Sequence, residues 1–247
     1  GLSITNFAGD AIRVSGNYSM FAGNYLGVLP DGVTAGGNGG AGMRLINAMF
    51  TTIGPQWALG GNVISGNAVG IVIDAGSTSN TVAGNLIGLR ADGTAALGNT
   101  GDGIQIYGAS NTIGSTTPGA GNVISGNGGN GIHVFSANGN TIVGNTIGLN
   151  QAGTAAIANL GDGILVSGTS SGTVIGGTAA GAANVISGNT NIGIELQLGV
   201  DATQILGNLI GLNAAGTTPI EVAPLGSRPI RDLNLEQNGI RVFLASR

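Results

Sequence analysis

An all-β solenoid of about eight stacked coils, each with three short strands, is the fold this sequence predicts, and three observations carry that reading. The heptapeptide GNVISGN stands at 61–67 and 121–127, and returns with its first residue changed to alanine at 183–189. Between the copies a second element recurs as GNYLGV at 23–28, GNLIGL at 84–89, GNTIGL at 144–149 and GNLIGL at 207–212. Each long repeat also splits into two halves carrying GI-x-I, NT-[VI] and N-x-I-[GS], three β-branched runs broken by Gly, Asn and Ser. A catalytic site is built once, so verbatim repetition marks a structural unit. Such a coil cannot bury its apolar side alone and does so by stacking on its neighbours at about 4.8 Å.

The first strand of each coil is marked by its first inward residue: Ile12, Leu45, Ile71, Ile104, Ile132, Ile164, Ile194 and, more loosely, Ile240. In the third run, the residue two before the inward aliphatic is Asn24, Asn62, Asn85, Asn122, Asn145, Asn184 and Asn208. Stacked amides donate to one neighbour and accept from the other, and asparagine tolerates a left-handed corner, so these positions predict a ladder. A shorter ladder is expected at Asn80, Asn111 and Asn140. Between ladder asparagine and inward aliphatic runs an outward apolar stripe: Tyr25, Val63, Leu86, Val123, Thr146, Val185 and Leu209. The recurring loops RADGTAAL, QAGTAAI and AAGTTPI are expected to cover it through Leu97, Ile157 and Ile220. Coils are expected over 1–218. Residues 219–247, interrupted by Pro224 and Pro229, are expected to form an irregular charged excursion before QNGIRVF supplies a last strand or cap of the same domain.

Composition narrows the function classes. Among 247 residues there are 50 glycines, no cysteine and seven Lys+Arg, all of them arginine, for a net charge of -4. No clustered cations are available for nucleic acid or an anionic membrane surface, and no apolar run is long enough for membrane insertion. Without cysteine there is neither a disulfide framework nor a thiolate metal site.

The GNVISGN, SNTVAGNLIGL and GDGIQIYGASNTIG segments resemble the right-handed parallel β-helix repeats of the pectin lyase-like superfamily. They look closest to the glycine-rich arrays of bacterial secreted and cell-surface proteins, and the resemblance spans about residues 2–212. It implies a right-handed coil, an extracellular or cell-surface location, and a polysaccharide or glycan as partner. Superfamily members include lyases, hydrolases, epimerases and non-catalytic adhesin stalks. The motifs of its polygalacturonase-type hydrolases are missing: Asn80-Thr81, Asn111-Thr112 and Asn140-Thr141 are each followed by an aliphatic residue where those enzymes place a carboxylate. Arg90 stands in a loop with only Asp92 beside it, not in the carboxylate cluster of a calcium-dependent pectate lyase.

Alternation on the first strand exposes one column just after the marker and a second two residues later. The first reads Arg13, Ile46, Val72, Gln105, His133, Leu165, Glu195, Arg241; the second reads Ser15, Ala48, Asp74, Tyr107, Phe135, Ser167, Gln197, Phe243. Tyr107 and Phe135, flanked by Gln105, His133, Asp74 and Glu195, form the candidate carbohydrate-binding face, where a sugar ring can stack and be hydrogen-bonded. Asp102 and Asp162, in the two GDG segments, are expected to cap turns. The sequence thus predicts a scaffold with no catalytic residue, metal or cofactor assigned. An enzyme acting on polysaccharide is the alternative, and a filament subunit that self-associates end to end or laterally is the third reading.

Overall fold

A computed structural model describes residues 1–55 and 60–220, and the backbone of Ile240–Val242. The chain visits three parallel sheets in turn, for example at Leu86–Ile87, Ile104–Ile106 and Thr112–Gly114. Among the described residues the sheets hold eight, eight and seven strands, and each strand pairs with its equivalent one coil away. The number of complete windings falls slightly short of the eight expected. Ile71, Ile104, Ile132, Ile164 and Ile194 stand in one column of the second sheet, all fully buried. Ile64, Ile87, Ile124 and Ile147 do the same in the first sheet, and Ile53, Val82, Ile113 and Ile142 in the third. These side chains fill the interior with one aliphatic layer per coil.

The second coil corrects the marker series. Ile12 pairs with Met43, and Met43 with Ile71, so the marker there is Met43 and Leu45 lies two residues on. The strand Ala41–Leu45 reads AGMRL, without the GI-x-I signature, and a slip of two residues keeps the inward face inward. Its outward column residues are therefore Arg44 and Ile46, where the sequence reading had Ile46 and Ala48.

Polar groups at the corners are satisfied by asparagine. From Asn24 through Asn62, Asn85, Asn122, Asn145 and Asn184 to Asn208, each Nδ2 donates to the Oδ1 of the next at 2.8–3.0 Å. The same Oδ1 accepts the backbone N–H of the preceding asparagine, at 3.1 Å from Asn85 to Asn122. Nδ2 also donates to the carbonyl that closes a third-sheet strand, as from Asn122 to Val82. A second ladder, which sequence reading missed, joins Asn38, Asn67, Asn99, Asn127, Asn159 and Asn189 between the first and second sheets. At the remaining corner Asn80 Nδ2 donates to Asn111 Oδ1 at 3.0 Å, and Asn111 N–H to Asn140 Oδ1 at 2.9 Å. The ladder asparagines themselves are not left-handed. That conformation falls to neighbours such as Gly84 and Gly144, and elsewhere to Ser79 and Ser110.

GNVISGN therefore spans one side of the prism, with an asparagine of one ladder, a strand, and an asparagine of the next. Its serine is also structural: Ser65 Oγ donates to the Leu89 carbonyl at 2.7 Å and accepts the Gly88 N–H at 3.1 Å. In the alternate coils glycine replaces that serine, because a Cβ at Gly88 would fall against the Ser125 carbonyl and its φ is +87°. Those coils insert a hairpin loop before the second asparagine, which makes the sequence repeat two coils long. Successive loops bond to each other, from Ala91 N–H to the Gly32 carbonyl and from Gln151 N–H to the Gly93 carbonyl. They also fold back: Leu97 and Ile157 N–H groups reach the Gly88 and Gly148 carbonyls, and Val63, Val123 and Val185 of the stripe are buried.

Most of the expected excursion lies outside the described residues; Ile240–Val242 pairs with Ile194–Leu196 as an eighth strand of the second sheet. The short ladder ends where its column changes to threonine, leaving Asn140 Nδ2 and Thr173 Oγ1 buried without a partner among the described residues. Urea denaturation of two variants checks the role of the ladders. Asn122→Ala strands several buried groups and should lower stability by about 3 kcal/mol or more, whereas Thr173→Asn, which gives Asn140 an acceptor, should raise it by about 1 kcal/mol.

Candidate functional site

The outward face of the second sheet is organised by a column of turn residues three positions before the first outward column. Asp10, Asp102 and Asp162 each place Oδ1 on a backbone N–H of the next coil: Ala41 at 2.7 Å, Asn130 at 2.6 Å and Ile192 at 3.0 Å. Asn130, between the latter two, accepts the Asp162 N–H at 2.8 Å. The expected turn caps are therefore present. The carboxylates do more than cap, because each also meets the outward column in its own coil or the next. Asp10 Oδ2 pairs with Arg13 at 2.6 Å; Asp102 Oδ2 accepts from Gln105 Nε2 at 2.9 Å and stands 3.7 Å from His133 Nδ1; the carboxyl of Asp162 meets that of Glu195.

The two central aspartates are tuned in opposite directions. Burial works against the charge of Asp102, yet His133, Gln105 and the Asn130 N–H together hold its pKa below the ordinary carboxylate value. Burial lifts Asp162 to about 6, against the Ile192 N–H and with the help of the neighbouring Glu195 carboxyl.

The candidate residues divide into three groups along this face. Tyr107 and Phe135 are in edge contact, with ring centroids 6.0 Å apart and planes at 66°, and Phe135 is 44% exposed. Tyr107 Oη reaches Gln105 Oε1 at 3.3 Å, and the His133 ring lies edge-on to Phe135 at 5.9 Å. Toward the N-terminal end Asp74 is taken by Arg44 in a two-point ion pair, 2.9 Å on each arm. That hydrogen-bonded contact with Asp74 raises the Arg44 pKa. Toward the C-terminal end stands Glu195, with Gln197 Nε2 at 3.4 Å. The structure thus brings Gln105, Tyr107, His133 and Phe135 together and leaves Asp74 and Glu195 at opposite margins.

Sequence reading missed two participants. Arg44 was hidden by the two-residue slip in the second coil, and only its register with Val72 reveals it. Ser167 stands in the second outward column beside Phe135, but a lone serine carries no sequence signal; in three dimensions its Oγ is 2.8 Å from His133 Nε2. Among the described residues no three His, Cys, Asp or Glu side chains form a cluster able to hold a metal ion. No helix there is long and apolar enough to cross a membrane.

Fold and repeat together define the class: a right-handed parallel β-helix repeat protein. Comparison with protein-family models and with curated proteins yields no match. Among solved structures the chain is similar to the A-modules of two Azotobacter vinelandii mannuronan C-5 epimerases, AlgE4 and AlgE6. Identity is 17% to each, over 90% of this chain and 56% of theirs, with TM-scores of 0.41 and 0.44. This likeness concerns the fold alone, and the chain spans little more than half of each of those modules.

The raised pKa of Asp162 has a consequence for stability. A proton held more tightly in the folded state stabilises it below the unfolded pKa, near 3.8, and that contribution is lost as pH rises through about 6. Asp162→Asn keeps an acceptor for Ile192 and carries no charge. In thermal melts from pH 4 to 7 the variant should gain on the wild type as pH rises, by about 2–4 °C at pH 7 for each kcal/mol relieved.

Proposed function

We propose that this protein is a secreted or cell-surface scaffold whose second-sheet face binds a glycan around Tyr107 and Phe135. The observation that carries this reading is the edge-contacting aromatic pair on adjacent coils, with Gln105, His133 and Asp102 beside it. Aromatic faces take the C–H face of a sugar ring, and the flanking amide, imidazole and carboxylate supply donors and acceptors for its hydroxyls. The stacked coils favour a polymeric ligand, since equivalent outward positions repeat about every 4.8 Å along the axis. A glycan partner also accords with the polysaccharide-directed name of the epimerase modules, although that likeness does not carry the reading.

The alternative is an enzyme acting on polysaccharide, for which the close approach of His133 to Ser167 and Asp102 is the relevant observation. Glycan-array screening followed by calorimetric titration tests the binding face. Wild type should bind at least one polysaccharide, and the Tyr107→Ala/Phe135→Ala double variant should bind it at least about tenfold more weakly, the loss expected from two aromatic contacts. Equal binding by the two proteins would remove the assignment.

A further inference from the structure

Three consecutive coils bring an aspartate, a histidine and a serine into one line on the outer face. Asp102 Oδ2 stands 3.7 Å from His133 Nδ1, and His133 Nε2 stands 2.8 Å from Ser167 Oγ. In the tautomer that carries its proton on Nδ1, the side facing the carboxylate, Nε2 accepts from the serine hydroxyl. Asp102 is itself fixed by the Asn130 N–H and by Gln105 Nε2. Ser167 is 4% exposed and His133 is half-buried, so both are shielded from bulk water while remaining on the outward face. A nucleophile bonded to a base that a third group orients is the arrangement that activates a hydroxyl, whatever fold presents it.

We propose that Ser167, with His133 as general base and Asp102 as positioning residue, is an acyl-transfer nucleophile that hydrolyses carboxylic esters, the intended substrate being an O-acylated sugar. Ser167 Oγ bonds to the acyl carbon while its proton passes to His133 Nε2. The ester C–O bond then breaks, and the sugar hydroxyl leaves with that proton. Water attacks the acyl-serine by the same route, releasing the carboxylic acid and restoring the serine. The choice of an acylated sugar rests on the glycan-binding reading, because Phe135 is the register neighbour of Ser167 and its ring touches that of His133.

A fluorophosphonate probe, which carries no sugar, tests the nucleophile separately from the glycan surface. Peptide mapping after reaction should place a single label on Ser167 of the wild type and none on Ser167→Ala. His133→Ala should label about 100-fold more slowly, as loss of a general base predicts. Asp102→Asn keeps an acceptor for Asn130, so it should lower kcat for p-nitrophenyl acetate with KM unchanged. An unlabelled wild type, or a label that survives in Ser167→Ala, overturns the assignment and leaves the glycan-binding face standing. A labelled wild type that binds no polysaccharide keeps the nucleophile and removes the sugar.

Discussion

The amide-to-amide hydrogen bond between asparagines on successive coils is the constraint on which this structure depends. A chain that turns three times per coil exposes backbone N–H and C=O groups at every corner, and the stacked coils bury them. The carboxamide answers both needs, its oxygen accepting two N–H groups from one side and its nitrogen donating to the next oxygen and to a strand carbonyl. Once the corners are held, each coil need contribute only an aliphatic layer. A core can therefore form from short strands, abundant glycine and few aromatic or charged residues.

The same regularity governs what the outer surface can do. Outward positions are equivalent from coil to coil, so a local change of residue type becomes a site without disturbing the frame. Asp102 and Asp162 illustrate the economy of the arrangement: one carboxylate oxygen closes a turn of the next coil while the carboxyl also meets an outward side chain. Burial raises the pKa of both aspartates, but beside Asp102 the Gln105 and His133 side chains and the Asn130 N–H outweigh it, whereas beside Asp162 the Glu195 carboxyl adds to it. The chemistry of the face thus follows from which residue stands beside a structural aspartate.

Much of the fold was legible because its causes are local and repeated. The seven-asparagine ladder and most of the inward isoleucines follow from spacing alone, and the register of Ile104 with Ile132 could be read from GI-x-I. Legibility failed where the signature was absent: AGMRL offers Ala41, Met43 and Leu45 as equivalent inward residues, and only strand pairing selects Met43. The ladder through Asn67 and Asn99 was missed because hairpin loops in alternate coils vary its spacing. For the site, the Tyr107–Phe135 pairing was readable from the column. The approach of His133 to Ser167 was not, since it depends on a rotamer reaching across coils and columns.

Amide hydrogen exchange at single-residue resolution tests the central claim most directly. The N–H groups of Asn85, Asn122 and Asn145, which lie at corners outside the strands and bond to side-chain oxygens, should exchange as slowly as those of Ile87, Ile124 and Ile147. Exchange of the asparagine amides at the rate of exposed loop amides without a hydrogen-bond acceptor, while the strands stay protected, would contradict the account.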